Sequence, residues 1–419
     1  MREKKVIIGI DGVPFSLIKE LSERDIIPNM KGLIDDNQFS ILKSSIPHIS
    51  SVSWSSIITG RNPGEHGIYG FTELIENTYS LKFPNFNALK SPAFWHQKEN
   101  RDKKHVIINV PSTYPAKDLN GVHIAGFVAL DLEKAVYPNS LLPILENFNY
   151  KIDVDTQLAH KQSNELFFEE LFTVLERRAK AFDHFQNNYD WDYFMPVITG
   201  SDRIGHFFWH MYEDRNHPYH SKFLEYFKKV DELIGKILKN LNEDINFIIL
   251  SDHGMEGIDL NVNLNTFLQN EKYLFLSEKN KRYNKIMKGS KAFILDPGRV
   301  YLNKKGKYPN GTVTDENSKE ILEQLKDLFL DLKYKNQKVI NKIYTKEEIY
   351  SGKMVDYAPD LVLIENKGCN LKASIGKEKL FEKEEKFSGK HNDQAFIITN
   401  QELIKQPKVE NVLKILEGI

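Results

Sequence analysis

Along the amino-terminal half of the chain, short apolar, β-branched runs alternate with longer stretches in which apolar residues recur every three or four positions. The runs are Val6 to Ile10, His105 to Val110, Tyr193 to Ile198 and Asn246 to Leu250, and Phe247-Ile248-Ile249-Leu250 carries no polar residue at all. A strand covered on both faces loses its polar alternation, so these runs predict the middle of a sheet. The intervening pattern predicts helices over Phe15 to Ser22, Val52 to Thr59, Ser163 to Phe185 and Lys222 to Leu241. In the third of these, Leu166, Phe167, Leu171, Val174 and Leu175 mark one buried face. Strands alternating with helices predict an α/β fold with a mostly parallel central sheet and helices on both faces.

From about Asp259 to Gly298 the pattern loosens into Lys- and Asn-rich sequence with only the short runs Tyr273 to Leu276 and Ala292 to Leu295, which reads as an insertion or smaller cap. Regular pattern resumes with strands at Arg299 to Leu302, Asp360 to Ile364 and Ala395 to Thr399 and a helix at Glu320 to Leu332. The expected organisation is therefore a catalytic α/β core over 1–258 and 299–419, interrupted by the cap at 259–298. Lys377 to Lys386 mixes both charge signs and reads as a solvated face.

The 419 residues include 57 Lys and Arg against 58 Asp and Glu, a net charge of −1 with His neutral. A field so balanced does not attract polyanions, so nucleic-acid binding is not expected. Cys369 is the only cysteine. Thiolate zinc clusters are thereby excluded, and any metal must be held by His and carboxylates. The first apolar run closes at Asp11, too short for a signal-peptide core, and no stretch reaches the 18 or so apolar residues of a membrane helix; the expected location is cytoplasmic, without membrane contact.

Candidate chemistry gathers where strands end. Asp11 follows the first strand directly and is followed by Gly12, and ligands of open α/β sheets sit beyond the carboxyl ends of strands. Such an Asp alone serves equally well as a turn residue. Ser50-Ser51-Val52-Ser53-Trp54 opens a helix that Gly60 can close; a serine there faces unpaired N–H groups and the positive end of the dipole, although capping alone would also explain it. Asp202 and His206, four apart after the strand Tyr193 to Ile198, share one helix face and can grip one ion, or form a plain surface ion pair. Asp252 and His253 leave the most apolar strand, where polar groups need partners. His391, in Gly389-Lys390-His391, could supply the third ligand that an ion held by Asp202 and His206 still lacks. Phe207-Phe208-Trp209-His210 and Phe86 read as core residues before pocket lining.

In order and content these motifs resemble the alkaline phosphatase superfamily, in its type I phosphodiesterase and nucleotide pyrophosphatase branch. The resemblance spans Asp11 to His391: the strand ending in Asp11, the block Ser50 to Ile68 with Thr-Gly-x-x-Pro-x-x-His-Gly-Ile, Asp-x-x-x-His, Ser-Asp-His-Gly-Met and the late Gly-x-His. It implies that the nucleophile lies nine residues before Thr59, at Ser50, with Ser51 the nearest rival. It further implies one ion on Asp11, Asp252, His253 and the Ser50 oxygen, and another on Asp202, His206 and His391. Two divalent cations are implied, zinc first and manganese second on the donor set. The relatives' Pro-Asn after the nucleophile is replaced by Val52-Ser53, leaving Ser53 as a shorter candidate for substrate binding.

The implied activity is two-metal hydrolysis of a phosphate ester through a phosphoseryl intermediate on Ser50, with a small-molecule phosphate ester as substrate and a nucleotide among the candidates. The alternatives are a phosphomutase on the same fold, a phosphomonoesterase and a non-catalytic protein that binds metal or phosphate esters. A sulfatase would need a Cys/Ser-x-Pro-x-Arg context, which is absent at Ser50.

Overall fold

The computed structural model describes residues 4–160, 163–239, 241, 245–277, 282–384 and 386–418. The chain folds into two compact units, the first comprising Met1–Asn62, Asn85–Glu256 and Lys386–Ile419, the second Pro63–Pro84 and Gly257–Glu385.

The first unit is built on an eight-stranded sheet: β1 (Lys5–Ile10), β2 (Gln38–Lys43), β3 (His105–Val110), β4 (Gly121–Ala125), β5 (Val136–Tyr137), β6 (Tyr193–Ile198), β7 (Asn246–Leu250) and β8 (Gln394–Thr399). Their spatial order is β2-β8-β7-β1-β6-β3-β4-β5. The five strands from β7 to β4 are parallel, while β8 runs against both β7 and β2, and β5 against β4. The all-apolar runs therefore occupy the centre, as two buried faces require. Val6, Ile8 and Ile10 of β1 join one hydrophobic cluster and Ile7 joins the cluster on the other face, following the two-residue period of a strand.

The helices that matter here are α1 (Phe15–Glu23), α2 (Ser50–Thr59), α3 (Asn164–Asn188), α4 (Gly200–Glu213) and α5 (His220–Lys239). Leu17, Phe167, Phe182, Ile204 and Phe227 from α1, α3, α4 and α5 pack into one cluster, and Trp54, Ile57 and Ile58 from α2 into the other. Helices thus cover both faces. One position of the expected α3 stripe differs: Leu166 is 49% exposed, and the buried face runs through Phe167, Phe168, Leu171, Val174, Leu175 and Arg178. Leu166 sits in the first turn, before the helix lies down on the core. Phe86, Phe207, Phe208 and Trp209 are all buried in the core, while His210 is exposed.

The boundary between units differs from the sequence expectation. The 259–298 segment is only one part of the second unit. Strands Arg299–Leu302 and Leu361–Glu365, expected in the core, instead form a four-stranded antiparallel sheet with Ala292–Leu295 and Ile340–Thr345. Helix Asp315–Leu330 buries Ile321, Leu325 and Phe329 in the hydrophobic cluster of that unit. The physical reason is pairing: these strands satisfy their backbone groups against one another, so the apolar pattern after Gly298 is as regular as that of the central sheet without belonging to it. Among the described residues, no helix is long and apolar enough to cross a membrane.

Candidate active site

Three adjacent strands of the first unit, β6, β1 and β7, end on the same side of the sheet, and each delivers acidic or imidazole groups just beyond its last residue. Asp11 follows β1, Asp252 and His253 follow β7, and the turn after β6 enters α4 with Asp202 and His206 one helical turn apart. Serines tie the turns together: Ser201 Oγ donates to the Asp11 carbonyl at 2.6 Å and Ser251 Oγ to the Val13 carbonyl at 2.6 Å. Gly12 has φ of +72°, and a Cβ there would lie 2.9 Å from the Asp202 Cα. Only glycine meets both demands. Replacing Gly12 with alanine is expected to push Asp202 out of register and to cost about 1–3 kcal/mol of stability, read as a lowered midpoint in denaturant with unchanged slope.

The sheet also fixes Ser50. Trp54, one turn into α2, packs so closely over Gly9 of β1 that a Cβ on Gly9 would come within 2.4 Å of its ring. Its Nε1 donates to Asp11 Oδ2 at 3.3 Å. Ser50, at the helix start, places its Oγ 2.9 Å from His253 Nε2 and 3.4 Å from Asp11 Oδ1. The N–H groups of Val52 and Ser53 bond to the Ile49 carbonyl, so those of Ser50 and Ser51 are the ones left at the open end of the helix.

The three histidines share one arrangement. Nδ1 of His206 lies 2.8 Å from the Gly389 carbonyl, Nδ1 of His391 2.8 Å from the His48 carbonyl and Nδ1 of His253 3.0 Å from the Gly254 carbonyl. A carbonyl can only accept, so in each neutral ring Nδ1 holds the hydrogen and Nε2 presents a lone pair. Those lone pairs converge. His206 Nε2 and His391 Nε2 are 2.9 Å apart, Asp202 Oδ1 is 3.3 and 3.2 Å from them and 4.0 Å from His253 Nε2, and Asp252 Oδ2 is 3.3 Å from His253 Nε2. Asp202 Oδ1 and Asp252 Oδ2 are buried and meet no hydrogen-bond donor among the described residues.

Electrostatics sharpen the same point. Burial, with Asp252 and Asp202 nearby, raises the Asp11 carboxyl well above its usual range, and burial pushes Asp252 up to about 7. Burial drives His206 down to about 4 and His253 well below its ordinary value, so both rings are neutral near pH 7. For Asp202, burial works in the opposite direction and is overcome by His206, His391 and Arg203, which hold it well below the usual carboxylate range. Arg203 is the permanent cation of that set. Anionic oxygens and bare ring nitrogens, buried and facing one another without a donor, fit divalent cations and little else. Among the described residues, two sets of side chains have ligand atoms close enough to hold an ion: Asp202, His206 and His391, and Asp11, Asp202 and His253.

The structure thus brings Asp11, Ser50, Asp202, His206, Asp252, His253 and His391 together. It gives Ser53 a different setting. Ser45 Oγ donates to the Pro47 carbonyl at 2.8 Å, so Ser53 donates to Ser45 at 2.7 Å and receives Ser44 at 3.0 Å. In that arrangement the buried Ser53 directs its hydroxyl proton to Ser45. Ser51 Oγ, by contrast, is buried without a partner. Two further participants are Trp54 and Arg203. Trp54 stood in the motif, but nothing local to the sequence links it to Asp11.

The family described as type I phosphodiesterase / nucleotide pyrophosphatase matches residues 5–392. Phosphonoacetate hydrolase from Sinorhizobium meliloti 1021, solved with phosphonoformate, has a TM-score of 0.66 at 14% identity, covering 100% of this chain and 96% of that one. Murine ectonucleotide pyrophosphatase/phosphodiesterase 5, in an inactive threonine-to-alanine form with AMP, has a TM-score of 0.56 at 12% identity, covering 99% and 94%. GPI ethanolamine phosphate transferase 3 of Saccharomyces cerevisiae is 34% identical over 74 residues, which is 18% of this chain and only 6% of that protein.

Proposed function

Because the chain belongs to the type I phosphodiesterase / nucleotide pyrophosphatase family of phosphoric ester hydrolases, we propose that its first unit hydrolyses a phosphodiester with two divalent ions and a phosphoseryl intermediate on Ser50. The observation that carries this reading is the position of Ser50 Oγ, 2.9 Å from His253 Nε2 at the open start of a helix and beside buried, donor-free carboxylate oxygens. Asp11, Asp252, His253 and Ser50 would hold one ion and Asp202, His206 and His391 the other, Asp202 lying near enough to serve both. Such ions, zinc first on an all-His/Asp donor set, supply charge neutralisation at the phosphoryl oxygens and lower the pKa of the serine hydroxyl. Ser50 attacks phosphorus, the ester oxygen departs, and water then cleaves the phosphoseryl bond. The Ser50 and Ser51 N–H groups and the Ser51 hydroxyl are positioned at the start of α2 to receive a phosphoryl oxygen.

The description of the family supports a diester as the substrate. The ligands of the structural neighbours, phosphonoformate and AMP, support a small phosphorus oxyanion as the substrate class.

A paired assay tests the proposal. Bis-nitrophenyl phosphate should be cleaved at least about tenfold faster than the mono-ester, with zinc or manganese required and a chelator abolishing both rates. Equal turnover with and without metal would refute the metal-dependent mechanism. Oxygen from labelled water should enter the released monoester; if it stays out, the protein is a mutase or transferase.

A further inference from the structure

Arg203 follows Asp202 directly in α4, and neighbours in a helix project about 100° apart, so their side chains do not ordinarily meet. Here they do. The guanidinium turns back until Nη1 lies 3.2 Å from Asp202 Oδ2, while Nη2 is 2.6 Å from Asp153 Oδ2 and Nε 3.3 and 3.2 Å from the two Asp153 oxygens. The ring of Phe127 closes a third side, with its centroid 4.3 Å from the guanidinium carbon. The arginine side chain is 14% exposed, and two carboxylates and an aromatic face leave it little freedom.

We propose that Arg203, anchored by Asp153, is a positioning residue that decides which oxygen of Asp202 is offered to the ion cluster. This rests on the metal reading above. A carboxylate turning freely about its last bond can present either oxygen, or both, to a cation. With Oδ2 taken by Arg203, only Oδ1 is left, and Oδ1 is the atom near all three histidine Nε2 positions. Asp153 performs a second task. An unpaired guanidinium beside a divalent ion would repel it, and the bidentate Asp153 makes the pair neutral without loosening its grip on Asp202. Partners of this kind behind a ligand characteristically control metal affinity, and losing one costs about 10–100-fold.

The test uses the full chain and measures zinc affinity by competition with a chromophoric chelator, alongside elemental analysis and thermal unfolding of the metal-free form. Wild type should take up two equivalents. In Arg203→Met, at least one equivalent should bind about 10–100-fold more weakly; Arg203→Lys should recover part of the loss, because a lysine keeps the charge but not the fork. If Asp153 acts through Arg203, the double variant with Asp153→Asn should be no weaker than Arg203→Met alone. Both equivalents binding to Arg203→Met and Arg203→Lys with wild-type affinity would overturn the inference. Wild-type protein that binds no zinc would instead overturn the metal reading beneath it.

Discussion

Replacing Ser50 with alanine is expected to lower diester turnover by at least about a thousandfold, a loss of about 4 kcal/mol in transition-state stabilisation, while leaving bound metal and folding nearly intact. The helix does not depend on that hydroxyl: its cap position is Ile49, which makes no side-chain cap bond, and the Val52 and Ser53 N–H groups bond to the Ile49 carbonyl. The remaining ligand atoms stay just beyond the strands β1 and β7, on α4 and, for His391, within the short strand Gly389–Asn392. Ser51 supplies the internal control. Its buried, unpartnered oxygen makes it the rival nucleophile, yet the His253 and Asp11 contacts belong to Ser50. Ser51→Ala should retain turnover within about a hundredfold of wild type, the scale of one lost hydrogen bond to a developing charge. Steady-state rates of the two single variants, with zinc measured on the same samples, decide between them. If Ser50→Ala keeps wild-type rates and Ser51→Ala does not, the nucleophile is the second serine.

Much of this site is legible in the amino-acid sequence because its signals are local. A carboxylate immediately after an apolar strand lies at the carboxyl edge of the sheet whatever the order of strands, which located Asp11 and Asp252. The four-residue spacing of Asp202 and His206 is a property of any helix. What was not legible depends on distance along the chain or on weak edges. Gln38–Lys43 became an edge strand, half exposed and therefore without a clean apolar run, and Gly121–Ala125 carries the buried His123 in its middle. Pro63–Pro84 of the second unit forms a two-stranded hairpin of its own, and Arg299–Leu302, Ile340–Thr345 and Leu361–Glu365 find antiparallel partners within that unit, which periodicity cannot assign to one sheet or another. Arg203 was visible beside Asp202, but Asp153 is fifty positions earlier, and only the fold brings its carboxylate onto the guanidinium. The surroundings of Ser53 are hidden for a related reason: the sequence shows a hydroxyl shortly after Ser50, and only the turn before α2 brings Ser44 and Ser45 within hydrogen-bond distance of it.

Replacing Asp252 with asparagine is expected to reverse the order of stability between metal-free and metal-loaded protein. Asp252 is fully buried against Asp11, and its carboxyl is pushed up to about 7 because burial disfavours the charge. A carboxyl raised in this way opposes folding wherever it is ionised, by about 1.4 kcal/mol for each unit of the shift. Asparagine removes that charge. Its carbonyl oxygen can still accept from the Gly12 N–H, as Asp252 Oδ1 does at 3.1 Å, and its amide can donate toward Asp11. With chelator present the variant should therefore melt above wild type, by about 2–4 °C for each kcal/mol recovered. With zinc the relation inverts, because an ion at a hundred times its dissociation constant adds about 2.7 kcal/mol to a protein that binds it and nothing to one that has lost the ligand. Paired thermal scans with elemental analysis measure both halves. An Asp252→Asn protein that keeps both zinc equivalents, or that melts below wild type in chelator, would show that this carboxylate is held in place by packing and hydrogen bonding, with no cation to balance it.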